Sequence, residues 1–475
     1  MTGRLIFSVL FIINLSVNCF SQSGNVTLYG TNREYAGKEL DFFYYTERIF
    51  DTRESLAKTI ADSVGSYSVS FYVDATKCVY CQTPLYLAFI FAEPGKTYHV
   101  DLPPIPENES EIQESPFFIP PQWHMVPRVS DNYDKIEINT EIKRFNEQVE
   151  PFLNNQILMY YKPEISRQSL DSFKLVNNCN SWAQNNDYLK TYCIYKTATL
   201  EFTVSQFSHS NLHEKYLKDK PARPDVPSWW EFFNLYFDRY FSSLTTNNAY
   251  NQLYSIIGNG QYYLLNQLLK NDPAMQDDRI REWVILKEIH SAYYEFGLPL
   301  STVNTICDSL AYYSTDKLSI SISRHLKKDA SSMIAGNNLP SAKLMNIDGD
   351  SLELSSLRGK YTYIGFCSLE SMECMQQFEY LKYFYHKHGK YLDICIILPE
   401  SEKKMIPSYT DENSIPWKFW YSANEKIMFK EYKVQAFPVF YLLDREGKLL
   451  MSPAVFPSKD FEQNLFNILR GRGEI

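Results

Sequence analysis

The chain has 475 residues, 44% of them apolar and 22% charged, with a formal net charge of −9. That length holds roughly two to four domains with ample cores. The acidic balance argues against a nucleic-acid or anionic-membrane surface, because both need clustered Lys and Arg to neutralise phosphate.

Residues 1–21 read as a secretory signal: Arg4, an apolar run from Leu5 to Leu15, then the small residue Ser21 before Gln22. The run is too short to span a bilayer, and no later stretch reaches that length. Cys19 raises lipoprotein anchoring, but Ser16-Val17-Asn18 is a poor lipobox, so cleavage after Ser21 is favoured. The expectation is an exported protein of the periplasm or cell envelope, with no transmembrane helix once the signal is removed.

Residues 22–104 carry a period of two. In GSYSVSFYV, Tyr67, Val69, Phe71 and Val73 alternate with Ser66, Ser68 and Ser70, which sends one row to a core and the other to solvent. Further strands are expected at Asn25 to Tyr29, Leu40 to Tyr45, Leu85 to Phe91 and Tyr98 to Leu102, making a β-sandwich domain. Cys78 and Cys81 form a CVYC at a strand end, where a local disulfide is expected. Zinc would need two further ligands, and no second CxxC or spaced His pair follows.

Residues 105–131 are a proline-rich, stiff linker. From 132 to 334 the apolar spacing turns helical: Ile138, Ile142, Phe145, Val149, Phe152 and Leu153 share one face, and an all-helical middle domain follows. Cys179 and Cys193 flank the Asn185-Asn186 turn at similar distances, so a structural disulfide across a helical hairpin is a candidate. The aromatic stripe from Trp229 to Phe241 covers nearly the whole helix circumference, which favours burial between domains over an open groove.

Residues 335–475 alternate strand and helix. The apolar run Tyr363, Ile364, Gly365, Phe366 breaks at Ser368 to Ser371 and restarts as a helix from Met372, so Cys374 stands at a helix N-terminus, where the dipole and free N–H groups favour thiolate. Ahead of it lies NLPSAKLMNIDGDSLELSSLRGKYTYIGF; behind it, YKVQAFPVFYLLDREGK. These two stretches resemble the thioredoxin superfamily, most nearly the exported TlpA/ResA-type thiol-disulfide oxidoreductases and their AhpC/TSA relatives. The resemblance implies a C-terminal α/β thioredoxin-like fold and a cis-proline at Pro438, which in the family leaves the preceding backbone free to pair with an extended substrate. The N-terminal strands resemble the DUF4369-like β-sandwich modules that precede thioredoxin domains in exported Bacteroidetes proteins, an architectural likeness that carries no active site.

On this alignment the family's Cys-x-x-Cys becomes Ser371-Met372-Glu373-Cys374. A hydroxyl forms no disulfide, so ordinary dithiol turnover is excluded unless another cysteine substitutes; Ser371 is also a favoured helix N-cap. Three readings of Cys374 stay open. It is an inert inner cysteine, or a single reactive thiol assisted by Ser371, or one half of a redox pair with Cys367. His386 and His388 read as helix C-terminal capping before Gly389 rather than as metal ligands. The expected function is a binding or assembly role toward a protein or peptide partner in the envelope, with a thiol oxidoreductase or peroxidase acting through Cys374, Ser371 and Pro438 as the alternative. No metal and no cofactor is expected.

Overall fold

The computed structural model describes residues 23–105, 118–128, 137–154, 163–176, 186–205, 209–244 and 248–474. The expected signal segment and Cys19 lie outside the described residues, as does Cys179.

Eight strands build the N-terminal sandwich: β1 (Gly24–Thr31), β2 (Glu39–Tyr45), β3 (Arg53–Ile60), β4 (Ser66–Val73), β5 (Lys77–Gln82), β6 (Leu87–Ala92), β7 (Thr97–His99) and β8 (Gln122–His124). They form two sheets, ordered β4-β1-β7 and β3-β2-β5-β6-β8. The alternation in β4 does what its period requires, burying Tyr67, Val69, Phe71 and Val73 against Val26, Leu28, Phe42, Val79 and Ile90. The second sheet is covered on both faces, and this explains why β5 and β6 read as almost continuous apolar runs. Val79, Cys81, Ala88 and Ile90 face the sandwich core, whereas Cys78, Tyr80, Phe89 and Phe91 face the helical domain.

That geometry corrects the expected Cys78–Cys81 disulfide. Both cysteines are free and buried, because residues three apart on an extended strand point to opposite faces and their sulfurs are separated by the sheet. Two further differences concern strands. RESLAKTI forms β3, an edge strand bearing Arg53, Glu54 and Lys58; mostly exposed, it needs no clean alternation. Residues 122–124, expected within the linker, pair in parallel with β6 as β8, and Arg128 returns to the sandwich through Asp101 at 2.8 Å.

The middle of the chain is helical: α1 (Ile138–Asn154), α2 (Pro163–Val176), α3 (Asp187–Ser205), α4 (His209–Tyr216), α5 (Pro227–Tyr236), α6 (Tyr240–Leu244), α7 (Leu253–Gly258), α8 (Tyr262–Leu269), α9 (Asp278–Phe296), α10 (Leu300–Tyr313) and α11 (Lys317–Ala330). The predicted stripe of α1 is buried at Ile138, Ile142, Phe145 and Val149. The aromatic stripe is buried throughout, from Trp229 to Phe241, but it does not form one helix. The chain breaks after Tyr236, with Arg239 in the left-handed region at φ 48°. Cys193, on α3, is disulfide-bonded.

The C-terminal domain begins with the hairpin β9 (Lys343–Met345) and β10 (Ser351–Glu353), turned at Gly349 with φ 88°. There follow β11 (Tyr361–Phe366), α12 (Met372–His388), β12 (Leu392–Ile397), α13 (Ile406–Asn413), β13 (Phe419–Trp420), α14 (Glu425–Glu431), β14 (Val439–Leu443), β15 (Leu449–Met451) and α15 (Phe461–Gly471). The sheet order is β13-β12-β11-β14-β15; β11, β12 and β13 are parallel, β14 is antiparallel to β11, and β15 is antiparallel to β14. Helices α12 and α15 bury Phe378, Leu381, Phe461 and Leu465 on one face. Helix α14 and the hairpin bury Met428, Phe429, Leu344 and Leu354 on the other.

Candidate functional site

Strand β11 is buried at every residue, so the chain leaves it at the middle of the sheet, directly beneath the start of α12. Ser371 is extended (φ −90°, ψ 115°) and caps α12, its hydroxyl accepting from the Cys374 N–H at 3.3 Å. The position that the resemblance assigns to an attacking cysteine is therefore filled by a capping serine.

The structure brings Cys367 and Cys374 together. Both are fully buried in one apolar cluster, neither is in a disulfide, and each thiol shifts the titration of the other. The Ser368 N–H also donates to the Cys374 sulfur at 3.4 Å. The Cys367 contact is the main cause that holds the Cys374 thiol below its ordinary value; burial opposes it, while Ser371 and Ser368 act in the same direction as Cys367. Burial first, then the same contact, pushes Cys367 well up.

Glu402 is the site residue that the sequence reading missed. It sits in a short 3-10 turn, Glu400–Lys404, that follows β12. Its carboxylate accepts from Ser368 Oγ at 2.5 Å and from the Leu369 N–H at 2.6 Å, fixing the β11 to α12 loop. Burial raises its pKa, with the Ser368 and Leu369 hydrogen bonds pulling the other way. In sequence, PESEKK reads as a charged surface turn, and nothing in it marks a buried carboxylate.

Phe437–Pro438 is cis. The β11–β14 register pairs Phe366 with Val439, which places Pro438 next along from the strand end that carries Cys367. A second cis bond, Ser452–Pro453, was not expected. His388 is tied to Glu462 of α15 at 2.7 Å, and Lys387 to the same carboxylate at 2.9 Å, so these contacts dock two helices. Gly389 ends α12 at φ −57° without entering the left-handed region. Among the described residues no group of three or more His, Cys, Asp or Glu side chains is placed to hold a metal ion, and no helix is long and apolar enough to cross a membrane.

A central β11 flanked by parallel β12 and antiparallel β14, with helices on both faces and a cis-proline beside the strand-to-helix turn, defines a thioredoxin-like fold over this part of the chain. Several solved structures are similar to it. The thioredoxin domain of a thiol-disulfide oxidoreductase from Bacteroides vulgatus matches at 19% identity and TM-score 0.26, over 28% of this chain and 97% of its own. A thiol:disulfide interchange protein from a Bacteroides species matches at 20% and 0.26, over 30% and 90%. The exposed lipoprotein thioredoxin of Streptococcus pneumoniae matches at 19% and 0.24, over 27% and 100%. No protein-family model matches the chain, and no curated protein does.

Proposed function

We propose that this is an exported protein of the cell envelope in which the thioredoxin-like domain binds a protein or peptide partner and no longer turns over partner disulfides. One observation carries the reading. The position of the attacking thiol is a capping serine, and every described cysteine is buried. Exchange with a protein disulfide needs a thiolate that the partner sulfur can approach in line, and a sulfur enclosed in the core offers no such approach. The cis-Pro438 edge beside the site suits an extended segment laid along it. Native protein treated with a bulky maleimide at neutral pH tests this: no thiol should label until denaturant is added. Labelling of Cys374 in the folded state below pH 7 would overturn it.

A second reading has its own support, because Cys367 and Cys374 lie in one buried cluster and shift each other's titration, so two thiols remain at the site although Ser371 interrupts the motif. Here Cys374 acts with Cys367 on a small oxidant. Each sulfur gives up one electron as the S–S bond forms, and the two protons pass to the reduced oxidant. Diamide is small enough to test this on the folded chain. Peptide mapping that finds Cys367 linked to Cys374 favours this reading, and two free thiols after exposure remove it.

A further inference from the structure

The loop between β2 and β3 projects from the sandwich into the helical domain and is held rigid by its own side chains. The Glu47 carboxylate, 2% exposed, accepts from the backbone N–H groups of Ile49, Phe50 and Thr52 at 2.5, 2.9 and 3.1 Å. Phe50 stacks against His325 at 5.7 Å and contacts His290 at 4.8 Å. The Asn234 amide of α5 donates to the Arg48 carbonyl at 2.9 Å. What this loop presents is the Arg48 guanidinium, laid over the Tyr45 ring at 3.9 Å with Nε on Asp51 at 2.9 Å.

Arg48 Nη1 is buried and has no hydrogen-bond partner. A buried donor left unpaired costs the desolvation of that group, more when it is charged, so its surroundings decide what it is for. The Arg48 side chain lines a crevice of about 220 Å³ between the two domains. Tyr44, Tyr45 and Tyr80 line it from the sandwich, Pro227 and Trp230 from α5, and Leu318 from α11. A smaller, more polar space of about 90 Å³ adjoins it, and Arg48, Cys78, Tyr80 and Pro227 line both. The other charges along the crevice are already matched: Lys77 pairs with Asp74 at 2.9 Å, Asp225 with Arg223 at 2.8 Å, and Lys196 with Glu231 at 2.6 Å. Trp230 Nε1 is satisfied by the Pro224 carbonyl at 3.0 Å, which leaves its ring as an apolar wall.

We propose that this interdomain crevice binds a small carboxylate with a flat apolar body, its anionic end on the Arg48 guanidinium and its body among Tyr45, Tyr80 and Trp230. The chemistry follows from the walls. A planar guanidinium with one donor unspent recognises a carboxylate oxygen, aromatic faces accept a flat hydrocarbon, and the space is below the usual range for a drug-sized ligand. This site goes beyond the reading of the thioredoxin-like domain and does not depend on it.

Benzoate is the probe, with benzamide as its uncharged isostere, titrated into the full-length folded protein by calorimetry. Benzoate should bind at least about tenfold more tightly than benzamide, and R48M should remove most of that preference. The isostere comparison needs no variant, so it stands even if R48M fails to fold; K58M, on the exposed edge strand β3 and outside the crevice, should leave benzoate affinity within about twofold. Equal binding of the two probes, no binding of benzoate up to about 10 mM, or full benzoate affinity in folded R48M would overturn the proposal and leave a crevice filled only by water.

Discussion

The Ser371 hydroxyl accepts a hydrogen bond at 3.3 Å from the backbone N–H of Cys374. This one bond caps the start of α12. Replacing Ser371 by Ala should cost about 1 kcal/mol, the usual worth of an N-cap, read as a lower urea midpoint with unchanged slope. S371C should keep the fold and add one thiol that a maleimide labels in the native state, because the helix N-terminus favours its thiolate.

Asn139 closes the open side of β6 where β8 ends. Its amide accepts from the Phe91 N–H at 2.8 Å and donates to the Phe91 carbonyl at 3.0 Å, mimicking a neighbouring strand. Asn139 is fully buried, so Asn139→Ala strands two backbone groups away from water at about 1–3 kcal/mol each. Thermal unfolding should show the loss, and hydrogen exchange should show it concentrated at β6.

Peptide mapping of unreduced protein should find Cys78 and Cys81 as two free thiols and Cys193 in a disulfide. A Cys78–Cys81 bond would contradict the opposite facing of the two side chains in β5.

Lys433, in the C-terminal domain, pairs with Asp329 at the end of α11, and Tyr294 donates to the same carboxylate at 2.6 Å. Burial by itself would raise Asp329, but these hydrogen bonds outweigh it and hold the pKa below its ordinary value. An acid depressed in the folded state adds stability above its unfolded pKa, about 3.9, and that stability is lost as pH falls through the folded value. Lys433→Met should therefore lower the midpoint of the C-terminal domain near pH 7, and the variant and parent should converge below about pH 3. Scanning calorimetry at several pH values checks this.

Glu402 has the reverse sign. Burial raises its pKa in the folded state, so its contribution is present below the unfolded Glu pKa, about 4.3, and is lost as pH rises through the folded value. Glu402→Gln should flatten the stability profile over that window in urea titrations. Removing a carboxylate that opposes the thiolate should also move the Cys374 titration, followed by thiolate absorbance, to lower pH.

Much of the architecture was legible along the chain. Period two in β4, the α1 stripe and the strand-to-helix break before Met372 depend on near neighbours, so burial and backbone geometry write them into local sequence. The Cys78–Cys81 error was avoidable by the same logic, since three positions along a strand reverse the face. Strand β8 was hidden for another reason: QWH has too few residues to show a period and exists because β6 offers it an edge.

The residue types at positions 367, 371 and 374, and the cap that a serine makes before a helix, follow from the chain alone. Only the folded molecule decided that Cys367 and Cys374 share one buried cluster, that a glutamate 28 residues beyond Cys374 clamps the loop between them, and that Arg48 meets a crevice lined by two domains. Those relations join elements far apart in sequence, and their energies come from burial and hydrogen bonds that do not exist until the sheets and helices have packed.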